Sequence, residues 1–222
     1  MSLFSSIMDL LFPPKCAFCW KVLDGEGHVC CTKCAANLPY TTGGGWQTGE
    51  YFDLCVAPLY FDGAVRNSIH RYKFSGAQGY AGAYGKLLAG CVSEHLPEFD
   101  IITWAPLSRE RLRRRGYDQA FLLASAAASE LGRAKPVETL KKTADTKAQS
   151  ELGGKRERGL NVTGAYEAAD TQIIRGKCVL IIDDVVTTGA TLDECARVLR
   201  EAGAGRVICA ALACTPLTAV NN

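Results

Sequence analysis

The sequence has no long apolar segment and no large excess of charge of one sign. No stretch approaches the roughly 18 consecutive apolar residues of a membrane span, which predicts that no transmembrane helix is present. The formal net charge of +2 does not favour a protein with a broad basic face. Internal repeats and low-complexity segments are absent as well. What remains is a folded globular protein of 222 residues, long enough for one ordinary domain and a small appendage.

The N-terminal residues 1–14 have apolar character but lack the basic segment with which a signal peptide begins. Asp9 also interrupts the apolar stretch. We therefore interpret residues 1–14 as a short amphipathic helix and expect a cytoplasmic protein.

Cysteine is abundant, with eleven residues, five of which fall within positions 16–34. Cys16-x-x-Cys19 and Cys31-x-x-Cys34 are two thiolate pairs of the kind that closes a tetrahedral Zn²⁺ site. Cys30 and His28 are spare ligands for one corner of the site, and disulfides are the alternative in an oxidising compartment. The other cysteines lie in apolar surroundings and are interpreted as core residues: Cys55, Cys91, Cys178, Cys195, Cys209 and Cys214.

Composition divides the chain into three parts. Residues 1–40 hold the N-terminal helix and the zinc ribbon, 41–53 form a glycine-rich linker, and 54–222 form the main domain. In the main domain, short apolar runs alternate with segments of helical periodicity, which predicts an α/β fold with a doubly wound, mostly parallel sheet. The expected strands are 55–60, 101–105, 137–140, 179–182 and 207–213, and the expected helices are 64–72, 81–94, 119–131 and 192–202.

The apolar run 179–182 ends in two adjacent carboxylates, Asp183 and Asp184. Four consecutive aliphatic residues are typical of a parallel strand buried on both faces, and ligands of open α/β sheets bind beyond the carboxyl ends of such strands. Because two like charges at the rim of a core repel each other, a cationic or hydroxyl-rich ligand is expected between them. Sugar hydroxyls and a hydrated Mg²⁺ both meet this description.

The next residues begin a helix and offer backbone N–H groups, three hydroxyls and a glycine that lets a ligand approach closely. Such a helix N-terminus is a cradle for phosphate. The residues of the cradle are Thr187, Thr188, Gly189, Ala190 and Thr191. Carboxylates for a ribose followed at once by a cradle for its 5′-phosphate resemble the phosphoribosyl pyrophosphate (PRPP) motif of the type I phosphoribosyltransferases. An ordinary strand–turn–helix is the alternative.

Three further segments suit a site for pyrophosphate. Ser108 follows a second strand in a Pro-marked turn, and residues 109–115 contain five arginines whose guanidinium groups match phosphate oxygens. The polar segment 143–164 is longer than a connection needs and is rich in Lys and Arg, as expected of a lid. Lys73 is a cation directly after the first helix of the main domain. A solvated surface is the alternative for the arginines and for Lys73, and disorder is the alternative for the segment 143–164.

Six features follow one another along the chain: the four cysteines, Lys73-Phe74-x-Gly76, Pro106-Leu107-Ser108, the motif from Arg113 to Gln119, the polar lid and Asp183-Asp184. In this order they resemble the ComF family of competence-associated proteins. The resemblance implies a type I phosphoribosyltransferase fold with an N-terminal zinc ribbon and a role in the uptake of transforming single-stranded DNA. It places Asp183 and Asp184 at the ribose hydroxyls, the cradle at the 5′-phosphate, and Arg115 with Arg158 at the pyrophosphate. Two features depart from the family pattern. Asp118 stands where the family often has Asn, and the stretch from Gln149 to Asn161 is longer than usual for the family.

Two functions follow from these residues. One is a binding protein that uses PRPP with Mg²⁺, handles single-stranded DNA and works with other DNA-uptake proteins. The alternative is an active phosphoribosyltransferase, with Asp183 and Asp184 in the catalytic site, that transfers ribose 5-phosphate to a base or an amine and releases pyrophosphate. No segment of the sequence specifies an acceptor, and the oligomeric state is open.

Overall fold

The structure of the protein is a computed structural model that describes residues 13, 15–23, 30–143 and 163–216. The predicted N-terminal helix, His28 and the greater part of the polar lid, with Arg158, lie outside the described residues. None of the helices in the described ranges has the length and apolarity that crossing a membrane requires.

The described strands are β1 (Cys55–Val56), β2 (Leu59–Tyr60), β3 (Ile101–Trp104), β4 (Leu140–Lys142), β5 (Tyr166–Ala168), β6 (Cys178–Val186) and β7 (Arg206–Cys214). The described α-helices are α1 (Thr32–Ala35), α2 (Gly63–Phe74), α3 (Ala81–His95), α4 (Arg109–Arg115), α5 (Gln119–Glu130), α6 (Thr171–Ile174) and α7 (Ala190–Glu201).

The central sheet is five-stranded and parallel, with β6 and β7 in the middle. β3 pairs with β6, while β1 and β2 pair with successive parts of the free edge of β7. The predicted strand 55–60 is therefore two short strands, because Pro58 has no N–H group to continue the ladder. The sheet confirms the predicted doubly wound, mostly parallel α/β fold.

Helices cover both faces of the sheet, and the alternation of side chains along β6 explains why. Leu180 and Ile182 pack into the core with α3 and α5, whereas Val179 and Ile181 pack into the core with α7 on the opposite face. All four side chains are fully buried. A strand buried on both faces has no polar positions until it reaches the sheet edge, and this fixes the place of Asp183.

Among the described strands and α-helices, α1, α4, α6 and β5 were absent from the sequence prediction. The arginine-rich stretch 109–115 is helix α4, which begins at the N-cap Ser108 and ends at Gly116 in the left-handed conformation. β4 and β5 form a separate antiparallel pair, so the strand predicted at 137–140 starts three residues later and lies outside the main sheet. Capping residues were the available signal for α4, because Ser at the N-cap and Gly after the last turn commonly delimit a helix.

Residues 41–53, which composition assigns to a linker, are packed against the sheet. Gly43, Gly44 and Gly45 have positive φ and form a 3₁₀ turn that L side chains adopt with strain. Gln47 pairs with Cys55 as an antiparallel bridge, and the N–H of Asp53 donates to the carbonyl of Val207 at 2.9 Å. The division at 40 and 53 stays a prediction.

The first cysteine pair packs onto helix α2. The Arg71 guanidinium donates hydrogen bonds to the carbonyl oxygens of Ala17 and Phe18 at 3.1 and 2.8 Å, and the Ser68 hydroxyl donates to the Ala17 oxygen. Phe18 is buried, with its ring centroid 6.0 Å from that of Tyr84 on α3. The N-terminal module thus shares the main hydrophobic core.

This shared core predicts that Phe18→Ala destabilises the whole chain. The substitution removes a buried ring and should lower the free energy of unfolding by about 3–5 kcal/mol, measured by urea denaturation of the zinc-loaded protein. Val22→Ala, at a residue that is 52% exposed, is the matched control, with an expected change within about 0.5 kcal/mol. A main unfolding transition that Phe18→Ala leaves unchanged would show that the module is independent.

Candidate functional site: a carboxylate pair beside a helix N-terminus

The two carboxylates lie at the carboxyl edge of the sheet, inside β6, since this strand continues to Val186 rather than ending at Ile182. Asp183 pairs in register with Ala211 of β7, and the backbone of Asp184 donates to Asp183 Oδ1 at 2.7 Å. Adjacent residues of a strand point to opposite faces. Asp184 is therefore directed toward the side of α2 and α5, and Asp183 toward the side of α7.

Asp184 is buried and forms an ion pair with Lys73, the residue before the last position of α2. Lys73 Nζ lies 2.7 Å from Asp184 Oδ1. The second carboxylate oxygen, Oδ2, is buried and has no hydrogen-bond partner among the residues that the structure describes. An unpartnered buried carboxylate oxygen is costly, so this atom is a candidate ligand for a hydroxyl or a hydrated cation.

Asp183 is partly exposed and differs from Asp184 in its electrostatics. Burial and the neighbouring charge of Asp184 raise the pKa of Asp183 to about 8, against the lowering effect of Lys73. At neutral pH the pair therefore carries less than two negative charges. A metal cation or a hydrogen-bond donor at this position would favour the state in which both carboxyl groups are ionised.

Arg115, at the end of α4, faces the same site. Its guanidinium donates to the side-chain oxygen of Gln119 and lies 5.0 Å from the ring centroid of Phe74, the residue after Lys73. Burial lowers the pKa of Arg115, while the charge of Asp184 acts in the opposite direction. Lys73 and Arg115 thus place two cations beside the carboxylate pair.

Asp118 and Ser108 hold the loop between β3 and α4. Asp118 accepts hydrogen bonds from the N–H groups of Ala120 and Phe121 as the N-cap of α5, and from the N–H of Leu107 at 3.0 Å. Ser108 is buried and accepts from the N–H of Arg111 at 3.4 Å. Both side chains thus cap helices, and Asp118 also fixes the loop through the N–H group of Leu107.

The cradle from Thr187 to Thr191 enters α7 through Gly189, whose φ of +80° is the left-handed conformation. A Cβ at Gly189 would lie 3.6 Å from Phe52, which is an ordinary contact. The structure therefore requires glycine for the backbone conformation, and a Cβ at this position would lie beside the ring of Phe52. Thr188 Oγ1 accepts from the N–H of Ala190 at 3.4 Å.

The packed segment 41–53 contributes a wall that the sequence did not indicate. An open cleft of about 400 Å³ lies between residues 48–52 and the start of α7. Its lining residues are Thr48, Gly49, Glu50, Phe52, Thr188, Gly189, Ala190 and Asp193. The N–H of Tyr51 donates to Asp193 Oδ1 at 2.8 Å, which links this segment to α7. Composition alone gave no signal for this role.

The pair β4–β5 flanks the side of Asp183. Lys142 Nζ lies 3.1 Å from the hydroxyl of the buried Tyr166, and the N–H of Gly164 donates to Glu194 on α7 at 2.7 Å. The two strands flank the predicted lid 143–164, whose residues 144–162, including Arg158, lie outside the described part of the chain. The lid itself stays a prediction.

The four predicted cysteine ligands come together. The sulfur atoms of Cys16, Cys19, Cys31 and Cys34 all lie within 4.8 Å of one another, and those of Cys19 and Cys31 are 3.6 Å apart. Tetrahedral Zn–S bonds of about 2.3 Å place sulfurs about 3.8 Å apart, so this donor set fits zinc. Burial and the hydrogen bonds that the Cys34 thiol makes to the other sulfurs raise the pKa of Cys34, so four thiolates need a cation to coexist. Cys30 lies outside this set and contacts the Cys31 carbonyl.

The raised pKa of Asp183 predicts that the stability of the ligand-free protein falls with pH. Above about pH 4 the unfolded state loses this proton, whereas the folded state keeps it up to about pH 8, so the free energy of unfolding decreases between these values. Asp183→Asn should remove this contribution. The urea midpoint of the variant minus the urea midpoint of the parent should therefore rise as the pH increases from about 4 to about 8. Asp100→Asn is the control, because the pKa of the Asp100 carboxyl is lowered and this group stays ionised throughout the same pH range. The urea midpoint of Asp100→Asn minus that of the parent should therefore stay constant over this range. A constant difference for Asp183→Asn would contradict the assignment.

Comparisons with known proteins agree with this geometry. Residues 118–219 match the phosphoribosyl transferase domain family, which confirms the predicted type I phosphoribosyltransferase-like fold. The DNA utilization protein YhgH of Escherichia coli is 33% identical over 192 residues, which cover 82% of this chain and 76% of that protein.

Two shorter matches extend the comparison. YhgH of Salmonella typhi is 35% identical over 144 residues, which cover 63% of this chain and 62% of that protein. Competence protein ComFC of Streptococcus pneumoniae is 30% identical over 146 residues, or 65% of this chain and 60% of that protein. These two alignments span less than two thirds of the relatives' own length. The extent of the match with the Escherichia coli protein, together with the domain match and the four-cysteine cluster, means that the chain belongs to the ComF family.

Proposed function

We propose that the protein binds PRPP with Mg²⁺ at the carboxylate pair. The observation that carries this proposal is the buried, unpartnered Oδ2 of Asp184 beside the Lys73 ion pair, at the sheet edge from which the helix of the phosphate cradle starts. Ribose hydroxyls would donate to Asp183 and Asp184, and the first N–H groups of α7 would face the 5′-phosphate. Mg²⁺ would neutralise pyrophosphate oxygens, with Arg115 and Arg158 as the protein's cations.

In this arrangement the chain's own residues contribute mainly positioning and charge. Lys73 holds Asp184 in one orientation through a 2.7 Å contact, and Asp118 holds the loop that leads to Ser108. If transfer occurs, positive charge that develops at C1′ would lie near two carboxylates, while cations face the leaving pyrophosphate. The described residues include none that we assign to an acceptor.

The second part of the proposal is a ComF-type role in which the protein handles single-stranded DNA during DNA uptake. It is supported by relatives that are named DNA utilization protein and competence protein. Partners in this role would be the strand itself and other DNA-uptake proteins. The four-thiolate zinc site suits a reducing compartment such as the cytoplasm, and the eleven cysteines are free of disulfides in the structure.

PRPP with Mg²⁺ should raise the melting temperature of the protein, because a ligand that prefers the native state stabilises it. Asp184→Asn should reduce the affinity by about tenfold or more, since it removes the charge of the buried ligand atom and keeps its shape. Asp100→Asn is the control, because Asp100 accepts a hydrogen bond from the N–H of Cys178 at the opposite end of β6. Thermal shift and calorimetric titration measure both variants.

The same titrations distinguish binding from turnover. Release of pyrophosphate in the presence of bases, amines or ammonia would identify the protein as an active transferase, and its absence in a protein that binds PRPP would favour the binding role. Equal PRPP affinity in Asp184→Asn and Asp100→Asn would place the PRPP site elsewhere.

The zinc site predicts close to one zinc per chain in protein purified without chelators. Cys19→Ser should lose the metal, since three thiolates bind zinc less tightly than four, whereas Cys30→Ser should retain it, because Cys30 lies outside the cluster. Metal analysis of both variants decides which thiols are ligands. Zinc loss in Cys30→Ser with retention in Cys19→Ser would reverse the assignment.

A further inference from the structure

Trp20 is exposed in a backbone conformation that favours glycine. It follows the Cys16–Cys19 pair with a φ of +65°, where a bulky side chain is strained, and 54% of its surface is accessible. A large apolar side chain gains little from such a position in the folded protein. A strained and exposed aromatic residue is therefore a candidate for contact with another molecule.

Cations lie close to this ring. Lys15 Nζ is 5.3 Å and the Arg71 guanidinium carbon 5.6 Å from the Trp20 ring centroid. Arg71 is held in place because it also donates to the carbonyl oxygens of Ala17 and Phe18. The ring and its cations thus form a fixed arrangement on the rim of the cysteine module.

A second exposed aromatic residue, Phe74, is the last residue of helix α2, which also carries Arg71. Phe74 is 58% exposed, its centroid is 4.8 Å from that of His70, and Arg115 lies 5.0 Å above its ring. Arg71 and Phe74 are three residues apart on α2, and His70 and Phe74 four apart, so they share one face of the helix. This face connects Trp20 at one end with Arg115 at the other. We call the five side chains, Trp20, His70, Arg71, Phe74 and Arg115, the aromatic–basic ridge.

We propose that the aromatic–basic ridge binds single-stranded nucleic acid by stacking bases on Trp20 and Phe74 while the cations contact phosphates. This inference deepens the DNA role proposed above and rests on it. Alternation of exposed aromatic rings with positive charges is the chemistry that unpaired bases and their phosphates need, and it is independent of base sequence. A protein partner would instead favour a continuous apolar patch with few charges at its centre.

The ridge leads to the carboxylate site. Arg115 contacts the ring of Phe74 on one side and is attracted by the charge of Asp184 on the other. Lys73, which pairs with Asp184, is the neighbour of Phe74 in sequence. A strand that follows the ridge from Trp20 therefore arrives beside the PRPP site and does not need to enter it.

The experiment measures binding of a labelled oligothymidylate to the zinc-loaded protein by fluorescence anisotropy over a salt series. Trp20→Gly should weaken binding by about tenfold, the loss expected for one stacked base, and leave the slope with salt unchanged. Glycine suits the positive φ, so this variant should keep its fold and its zinc. Phe74→Ala should weaken binding to a similar extent. Trp46→Ala is the matched control, because Trp46 is 61% exposed but belongs to the segment 41–53.

Tryptophan fluorescence gives an independent measurement. The oligonucleotide should quench emission in the parent and in Trp46→Ala, and the quenching should be lost in Trp20→Gly. If Trp20→Gly and Phe74→Ala bind the oligonucleotide as tightly as Trp46→Ala does, the aromatic–basic ridge is not the binding surface, and the proposed DNA role still stands. A parent protein that binds no oligonucleotide would overturn both. If polyglutamate at equal charge concentration displaces the oligonucleotide, the surface binds any polyanion, and this result also overturns the proposed base stacking on the ridge.

Discussion

Two adjacent carboxylates at the end of a strand buried on both faces are the constraint on which the arrangement of this protein depends. The hydrophobic residues of β6 hold the backbone in place, and the strand period directs Asp183 and Asp184 to opposite faces of the sheet. Each face meets a different environment. Asp184 has a lysine at 2.7 Å, whereas partial burial and its neighbour's charge raise the pKa of Asp183. The elements around the pair supply the compensating charges: the end of α2 brings Lys73, and the end of α4 brings Arg115.

Much of this could be predicted from the sequence, because the relevant signals are local. The run 179–182 and the helical spacing after Thr191 give the strand and helix that carry the motif, and the paired cysteine spacing gives the four ligands that the structure brings together. Helix α4 was missed although its caps Ser108 and Gly116 are local signals, because the five arginines were interpreted by their charge alone.

Other parts depend on contacts between residues distant in sequence, and no pattern in one chain reports these. The wall formed by Phe52 at the start of α7 arises from a segment whose glycines suggest a linker. Asp118 is a cap and also a loop anchor, because Leu107 happens to approach its second oxygen. Gly189 is required by its left-handed backbone conformation, and its Cβ position would lie beside Phe52. In each case a neighbour that is distant in sequence determines the role of the residue.

Helix α2 contacts both the cysteine module and the carboxylate site. Ser68 and Arg71 lie on one side of it and hold the cysteine module, while Lys73, about 200° further round the helix, reaches Asp184. One inserted or deleted residue between Ser68 and Lys73 would turn one set of contacts about 100° away from its partner. The spacing of these residues is therefore fixed as strictly as their identity. Among related sequences, changes of length should accumulate before Gly63 and after Phe74, and the interval from 68 to 73 should keep its length even where its residues vary.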